Sequence, residues 1–129
     1  MIDHTKACDE CIAQCKKVIE ACKSCTYTNK TNGTTHQHCI TTCKKTVEAC
    51  KNCIEACEQH MKECNNPECL AACKECIHLC KKCIAACQNC ATECKMTGSD
   101  CSRSCQQCIA AAHECIKGCG KAVHHSCKA

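Results

Sequence analysis

The recurring apolar residue of this chain is cysteine, and it returns at intervals that alternate between four and three. From Cys69 the series continues through Cys73, Cys76, Cys80, Cys83, Cys87, Cys90 and Cys94. That spacing puts every member on one stripe of an α-helix, the a and d positions of a heptad, which normally face a bundle core. Four such amphipathic segments are predicted. The first runs from about Asp3 to Cys25 and carries Cys8, Cys11, Cys15, Cys22 and Cys25. The second runs from about Thr35 to Cys64 and carries Cys39, Cys43, Cys50, Cys53, Cys57 and Cys64. The third runs from about Pro67 to Lys95. The fourth, from about Ser99 to Val123, carries Cys101, Cys105, Cys108, Cys115 and Cys119. Random placement would put about two in seven cysteines on the stripe; here only Cys127 of the 25 falls outside it.

The other heptad positions complete the amphipathic design. Aliphatics flank the thiols on one side: Ile12, Ile19, Val47, Ile54, Leu70, Ile77, Ile84, Ile109, Ile116 and Val123. Alanines flank them on the other, among them Ala7, Ala21, Ala49, Ala56, Ala72, Ala86 and Ala111, and permit close helix approach. The remaining positions are polar, as at Lys16, Lys17, Lys44, Lys45, Lys81 and Lys82. The breaks have turn chemistry. A polar loop spans residues 28–33, with Thr34 or Thr35 as cap for the second helix. Asn66 is a good N-cap with Pro67 at the first helical position. Gly98 can end the third helix, and Ser99 or Asp100 can cap the fourth. Short connections imply antiparallel neighbours. The expected fold is therefore all-α: an antiparallel four-helix bundle with a cysteine-lined core, one domain over residues 1–129.

Composition sharpens this picture. Phe and Trp are absent and Tyr27 is the single aromatic, so a conventional core would be weak. Metal–thiolate bonds can supply the missing stability. The net charge is +4, with basic and acidic residues interspersed rather than in blocks, which argues against nucleic acid as a partner. No segment is apolar enough to span a membrane, and the amino terminus lacks a stretch of signal-peptide length. A cytoplasmic location is expected, where thiols stay reduced and serve as metal ligands rather than disulfides.

Cysteines three or four apart on a helix have Cβ atoms about 5–6 Å apart, beyond the roughly 3.5–4.5 Å of a disulfide. Two sulfurs bridged by a soft ion fit that spacing. Thiolate softness selects Cu(I), Zn(II) or iron–sulfur clusters. One Cu(I) per thiolate is neutral, and thiolates can bridge two ions. Zinc with four thiolates carries a net charge of about −2 per site, which no lysine on the stripe offsets. Cu(I) is thus the favoured cargo. The Cys-x3-Cys-x2-Cys spacing of radical-SAM loops falls out of any a/d cysteine heptad, and the chain is too short for the associated barrel. The Cys-x-x-Cys pairs lack the strand–helix context of a thioredoxin-like site.

Four positions interrupt the cysteine series: Val18, Thr46, His60 and Ala112. His60, between Cys57 and Cys64, is the best histidine candidate for a metal ligand. An antiparallel bundle gathers His4, His60, His124 and His125 at one end, and His36, His38 and Met96 at the other. His38, His78, His113, His124 and His125 read as solvated, and Met61 and Met96 as packing residues.

The run Cys73-Lys-Glu-Cys76-Ile-His-Leu-Cys80-Lys-Lys-Cys83-Ile-Ala-Ala-Cys87, with the similar Cys50-Lys-Asn-Cys53-Ile-Glu-Ala-Cys57, resembles the bacterial four-helix-bundle copper storage proteins. The resemblance extends over essentially the whole chain. It implies inward cysteines holding many Cu(I) ions, a homotetramer, and, without a signal peptide, the cytosolic branch with histidines near the open end. Val18, Thr46 and Ala112 depart from that pattern and should locally lower metal density; His60 stands where a thiol would be.

The expected function is Cu(I) storage or sequestration without catalysis. The ligands are the 24 stripe cysteines and His60, and the partners are copper donors and acceptors, either small thiols or a chaperone. A metallothionein-like zinc buffer or soft-metal detoxifier is the alternative, followed by a disulfide-stapled structural protein.

Overall fold

A computed structural model of the chain describes residues 4–28, 33–95 and 101–124, with the side chains at 26–28 and 33–36 left outside the description. Four helices account for nearly all of it: α1 (His4–Thr28), α2 (Gly33–Glu63), α3 (Pro67–Lys95) and α4 (Ser102–His124). At about 1.5 Å rise per residue they are rods of roughly 35–45 Å. Each packs beside two others, so that α1 lies diagonal to α3 and α2 diagonal to α4. The sulfur pairings give the directions. Cys8 meets Cys53, Cys11 meets Cys50 and Cys22 meets Cys39, so α1 and α2 run oppositely. Cys11 meets Cys115 and Cys25 meets Cys101, so α4 also opposes α1. This is the antiparallel four-helix bundle that the heptads predict.

The stripe faces inward. Its cysteines are buried along with Val18, Thr46 and Ala112, while Ile12, Ile54, Leu70, Ile77, Ile84, Ile109, Ile116 and Val123 are half-buried at its margin. The lysine pairs at 16–17, 44–45 and 81–82 are exposed. Small residues set how closely the rods approach. A methyl group added at Gly118 would stand 2.7 Å from Leu79 Cδ1 and 3.5 Å from the Cα of Cys76, which marks the close contact of α4 with α3.

Helix ends follow local chemistry, with three adjustments. At α3 the expectation holds: the backbone N–H groups of Glu68 and Cys69 donate to Asn66 Oδ1 at 2.9 and 3.2 Å, and Pro67 opens the helix. Glu68 in the first turn suits the helix dipole. At α2 the backbone is already helical at Gly33, ahead of Thr34 and Thr35, whose side chains lie outside the described residues. At α4 the helix begins at Ser102, with Cys101 as the described residue just before it. Its carbonyl accepts the first helical bond, from Cys105 N–H at 2.8 Å, while its thiol is drawn inward to Cys25 Sγ at 3.4 Å. The first helix also continues past Cys25 to Thr28, because extension of an existing helix needs only one further bond per residue. Gly98, Ser99 and Asp100 lie outside the described residues.

Two stability measurements check this account. Asn66→Ala leaves two N–H groups of the first α3 turn without their cap and should cost about 1 kcal/mol in chemical denaturation of the reduced, metal-free protein. Gly120→Ala meets nothing within 4 Å and should stabilise by up to about 1 kcal/mol through helix propensity; Gly118→Ala, which must displace Leu79, should gain less.

Candidate metal centre

All 24 described cysteines are buried free thiols. Their inward direction follows from the a/d register, and their mutual approach from the small volume of the side chain. The spacing along one helix brings some sulfurs together, as at Cys83–Cys87 and Cys115–Cys119, both 4.0 Å. Shorter approaches are made between helices: Cys8–Cys53 and Cys25–Cys101 at 3.4 Å, Cys76–Cys119 and Cys87–Cys108 at 3.5 Å. Even diagonal helices meet through sulfur, with Cys11–Cys80 at 3.9 Å and Cys53–Cys119 at 3.7 Å. The axis of the bundle is therefore filled with sulfur. Pairing across helices, not along them, is the dominant arrangement, and the spacing in the sequence alone does not reveal it.

Several groups of sulfurs are sets of four, one from each helix, with all members within 4.8 Å of one another. One set is Cys8, Cys53, Cys76 and Cys119; the next is Cys11, Cys53, Cys80 and Cys119; then come Cys11, Cys50, Cys80 and Cys115, and Cys15, Cys50, Cys83 and Cys115. Further along stands Cys22, Cys43, Cys90 and Cys108. The first four of these sets share members, so Cys11, Cys50, Cys53, Cys80, Cys115 and Cys119 each belong to two of them, whereas the set of Cys22, Cys43, Cys90 and Cys108 shares none with those four. Where members are shared, the sulfurs form a ladder of soft donors rather than a row of separate cages. Among the described residues no lysine or arginine is buried beside it.

Hydrogen bonds among the sulfurs divide the protons unequally. In the set of Cys8, Cys53, Cys76 and Cys119, bonds from neighbouring thiols push Cys8 and Cys76 down and Cys53 and Cys119 up. The set of Cys22, Cys43, Cys90 and Cys108 splits the same way, with Cys43 and Cys108 down and Cys22 and Cys90 up. Cys8, bonded by Cys119, Cys53 and Cys57, and Cys108, bonded by Cys22, are each lowered to about 5. Burial, followed by the bond to Cys101, raises Cys25 to about 12. Within a set, some thiols thus hold their protons and donate to others that ionise readily.

The two ends of the ladder differ. At one end the His4 and His60 rings stack, with centroids 3.9 Å apart and planes inclined by 18°. His60 Nε2 lies 3.1 Å from Cys69 Sγ. His4 is buried, and among the described residues its Nε2 has no hydrogen-bond partner. Burial and the adjacent His4 hold His60 below the usual imidazole range, which leaves a neutral ring nitrogen beside a thiol. The sequence places His60 between Cys57 and Cys64 of its own helix. The structure gives it a partner on α3 instead, which no local spacing could indicate. The gathering of His4 and His60 agrees with the antiparallel reading. His124 is exposed, as are His38, His78 and His113. Met61 packs against the core margin as expected. The opposite end closes with Cys25, Cys94 and Cys101, where Cys25 Sγ stands 3.8 Å from Cys94 and 3.4 Å from Cys101. The side chain of His36, and residues Met96, His125 and Cys127, lie outside the described residues.

Among the described residues no helix is long and apolar enough to cross a membrane. Comparison with protein-family profiles, with curated proteins and with solved structures gives no match. What the chain offers is a set of buried thiol groups suited to several soft metal ions at once.

The split protonation predicts how metal loading depends on pH. Metal must displace protons from thiols that are pushed up, such as Cys53 and Cys119, but not from Cys8 or Cys108 above pH about 5. Loading at pH 7, followed with a pH indicator, should release fewer protons than thiolates engaged. Retention should weaken as pH falls and drop further through about pH 5, where Cys8 and Cys108 protonate; a chelator competition series checks this.

Proposed function

We propose that this protein stores or sequesters Cu(I) in the sulfur ladder and catalyses no reaction. The observation that carries this reading is the sharing of cysteines between successive sets. A donor that belongs to two neighbouring sites bridges them when both are filled, and soft thiolates suit Cu(I). Charge supports the same choice. About one Cu(I) per thiolate leaves the interior near neutral, whereas buried net charge is costly and no buried lysine or arginine is described to offset it. Cu(I) passes in by ligand exchange from a small thiol or a chaperone and moves between sulfurs 3.4–4.0 Å apart. His60 with Cys69, and beside them His4, form a mixed nitrogen–sulfur group where exchange with a donor can begin. The resemblance to copper storage proteins, and to their cytosolic branch, agrees with this reading. The half-buried isoleucines along the helix margins suit a homo-oligomer, for which the resemblance suggests a tetramer.

Zinc buffering is the second reading, favoured by one observation. Four sulfurs from four helices at separations such as 3.4, 3.6, 3.7 and 3.5 Å in the set of Cys8, Cys53, Cys76 and Cys119 approach the edge of a tetrahedral zinc–thiolate site, about 3.8 Å for a Zn–S bond of about 2.3 Å. Shared membership limits how many such sites can be filled together.

Anaerobic titration of the reduced protein with Cu(I) against a chromogenic chelator should saturate near the count of 25 cysteines per chain. Added Zn(II) should be displaced by Cu(I). Saturation at a handful of Cu(I) ions, with zinc retained against a chelator, would instead establish the zinc reading.

A further inference from the structure

Three positions between cysteines of the stripe carry neither thiol nor imidazole: Val18 on α1, Thr46 on α2 and Ala112 on α4, all fully buried. Each lies between cysteines seven residues apart, namely Cys15 and Cys22, Cys43 and Cys50, Cys108 and Cys115. Seven helical residues rise about 10 Å, against about 5 Å for the usual step of three or four. The antiparallel packing brings the three gaps to one level. Cys15 shares a set with Cys50 and Cys115 on one side of it, and Cys22 shares a set with Cys43 and Cys108 on the other. Thr46 Oγ1 lies 3.4 Å from the carbonyl oxygen of Gln14 on α1, which places it against the same stretch. Its hydroxyl donates to the Thr42 carbonyl at 2.8 Å, and an oxygen donor is in any case a poor ligand for a soft ion.

Only α3 carries its thiols through this level. Cys83 belongs to the set of Cys15, Cys50 and Cys115. Cys87 stands 3.5 Å from Cys108. Cys83 and Cys87 are 4.0 Å apart.

We propose that Val18, Thr46 and Ala112 form a waist that divides the core into two metal stores, joined by one sulfur relay through Cys83 and Cys87. The proposal rests on the Cu(I) storage reading. Fourteen of the described cysteines lie on the His60 side of the waist and ten on the Cys101 side. Within a store, an ion leaving one thiolate finds sulfurs from several helices within 4.8 Å, so the incoming sulfur bonds before the outgoing one releases. The incoming thiol gives up its proton and the released thiolate takes one; the copper stays Cu(I) throughout. At the waist the neighbours are methyl groups and an engaged hydroxyl. Ions cross single file, from Cys15 to Cys83 to Cys87 to Cys108. Each store therefore fills and empties chiefly through its own end of the bundle.

The test is to locate the ions. Reduced protein is loaded anaerobically with Cu(I) to saturation, the ions per chain are counted, and anomalous scattering at the copper edge maps them in crystals. The expected map has two runs of ions separated by an interval of about 10 Å, which holds at most one ion, on Cys83 and Cys87. Cys87→Ala should empty that interval. The combined Val18→Cys, Thr46→Cys and Ala112→Cys variant should close it and raise capacity by about three ions. If the combined variant does not fold, Val18→Cys alone should raise capacity by about one, and the wild-type map decides in any case. High capacity with an unbroken run through the Val18 level would overturn the waist and leave storage standing. Saturation at a handful of ions would overturn the storage reading and the waist with it.

Discussion

Sulfur-to-sulfur packing at the a and d positions governs this molecule. A cysteine side chain is short, so helices that meet through cysteines must come close, and the alanines beside the stripe allow it. Once they are close, thiols of opposing and even diagonal helices touch at 3.4–4.0 Å. The contacts are individually weak, since S–H is a poor donor and sulfur a poor acceptor. The aliphatic margin at Ile12, Ile54, Ile77, Ile84 and their neighbours supplies much of the apolar area that holds the rods together. The interior is thus given over to sulfur, and the margin of the helices to packing.

That division has an electrostatic consequence. A buried ladder of thiols tolerates little net charge, because burial penalises every thiolate and the described lysines stay outside. Protons are shared along the ladder instead, some thiols held up and others pushed down by the bonds they exchange. A soft monovalent ion replaces a proton at a thiol without changing the charge of the core. At the thiols that hold their protons, exchange of proton for metal is then close to isoelectric.

The ends and the middle modify this uniform interior. The stacked His4 and His60 bring nitrogen donors to one end, next to Cys69. At mid-length, two apolar side chains and one hydroxyl replace thiols on three helices, and continuity of sulfur passes to α3 alone. A donor series interrupted on three of four sides at one level differs physically from one with three scattered vacancies. The first makes a boundary, whereas the second only lowers density.

The heptad spacing of cysteine determined the four helices, their inward face and the antiparallel order, because burial of one stripe per helix has few solutions with short connections. Asn66-Pro67 fixed the start of α3 through local hydrogen bonding alone. The sequence also marked the candidate ligands, since a residue's place on the stripe decides whether it faces the core. What it left open depends on relative translation and rotation of helices, which spacing within one helix does not constrain. One such feature is the contact of the Cys101 thiol, just before α4, with Cys25 across the bundle. His60 turned out to face Cys69 of the next helix, and the sulfur sets draw one member from every helix. Val18, Thr46 and Ala112 are far apart along the chain, and each reads there as an isolated lapse in a repeat. Only the packing of α1, α2 and α4 at a fixed register brings them to one level, because that register is set by side chains meeting between helices and not by the period within each.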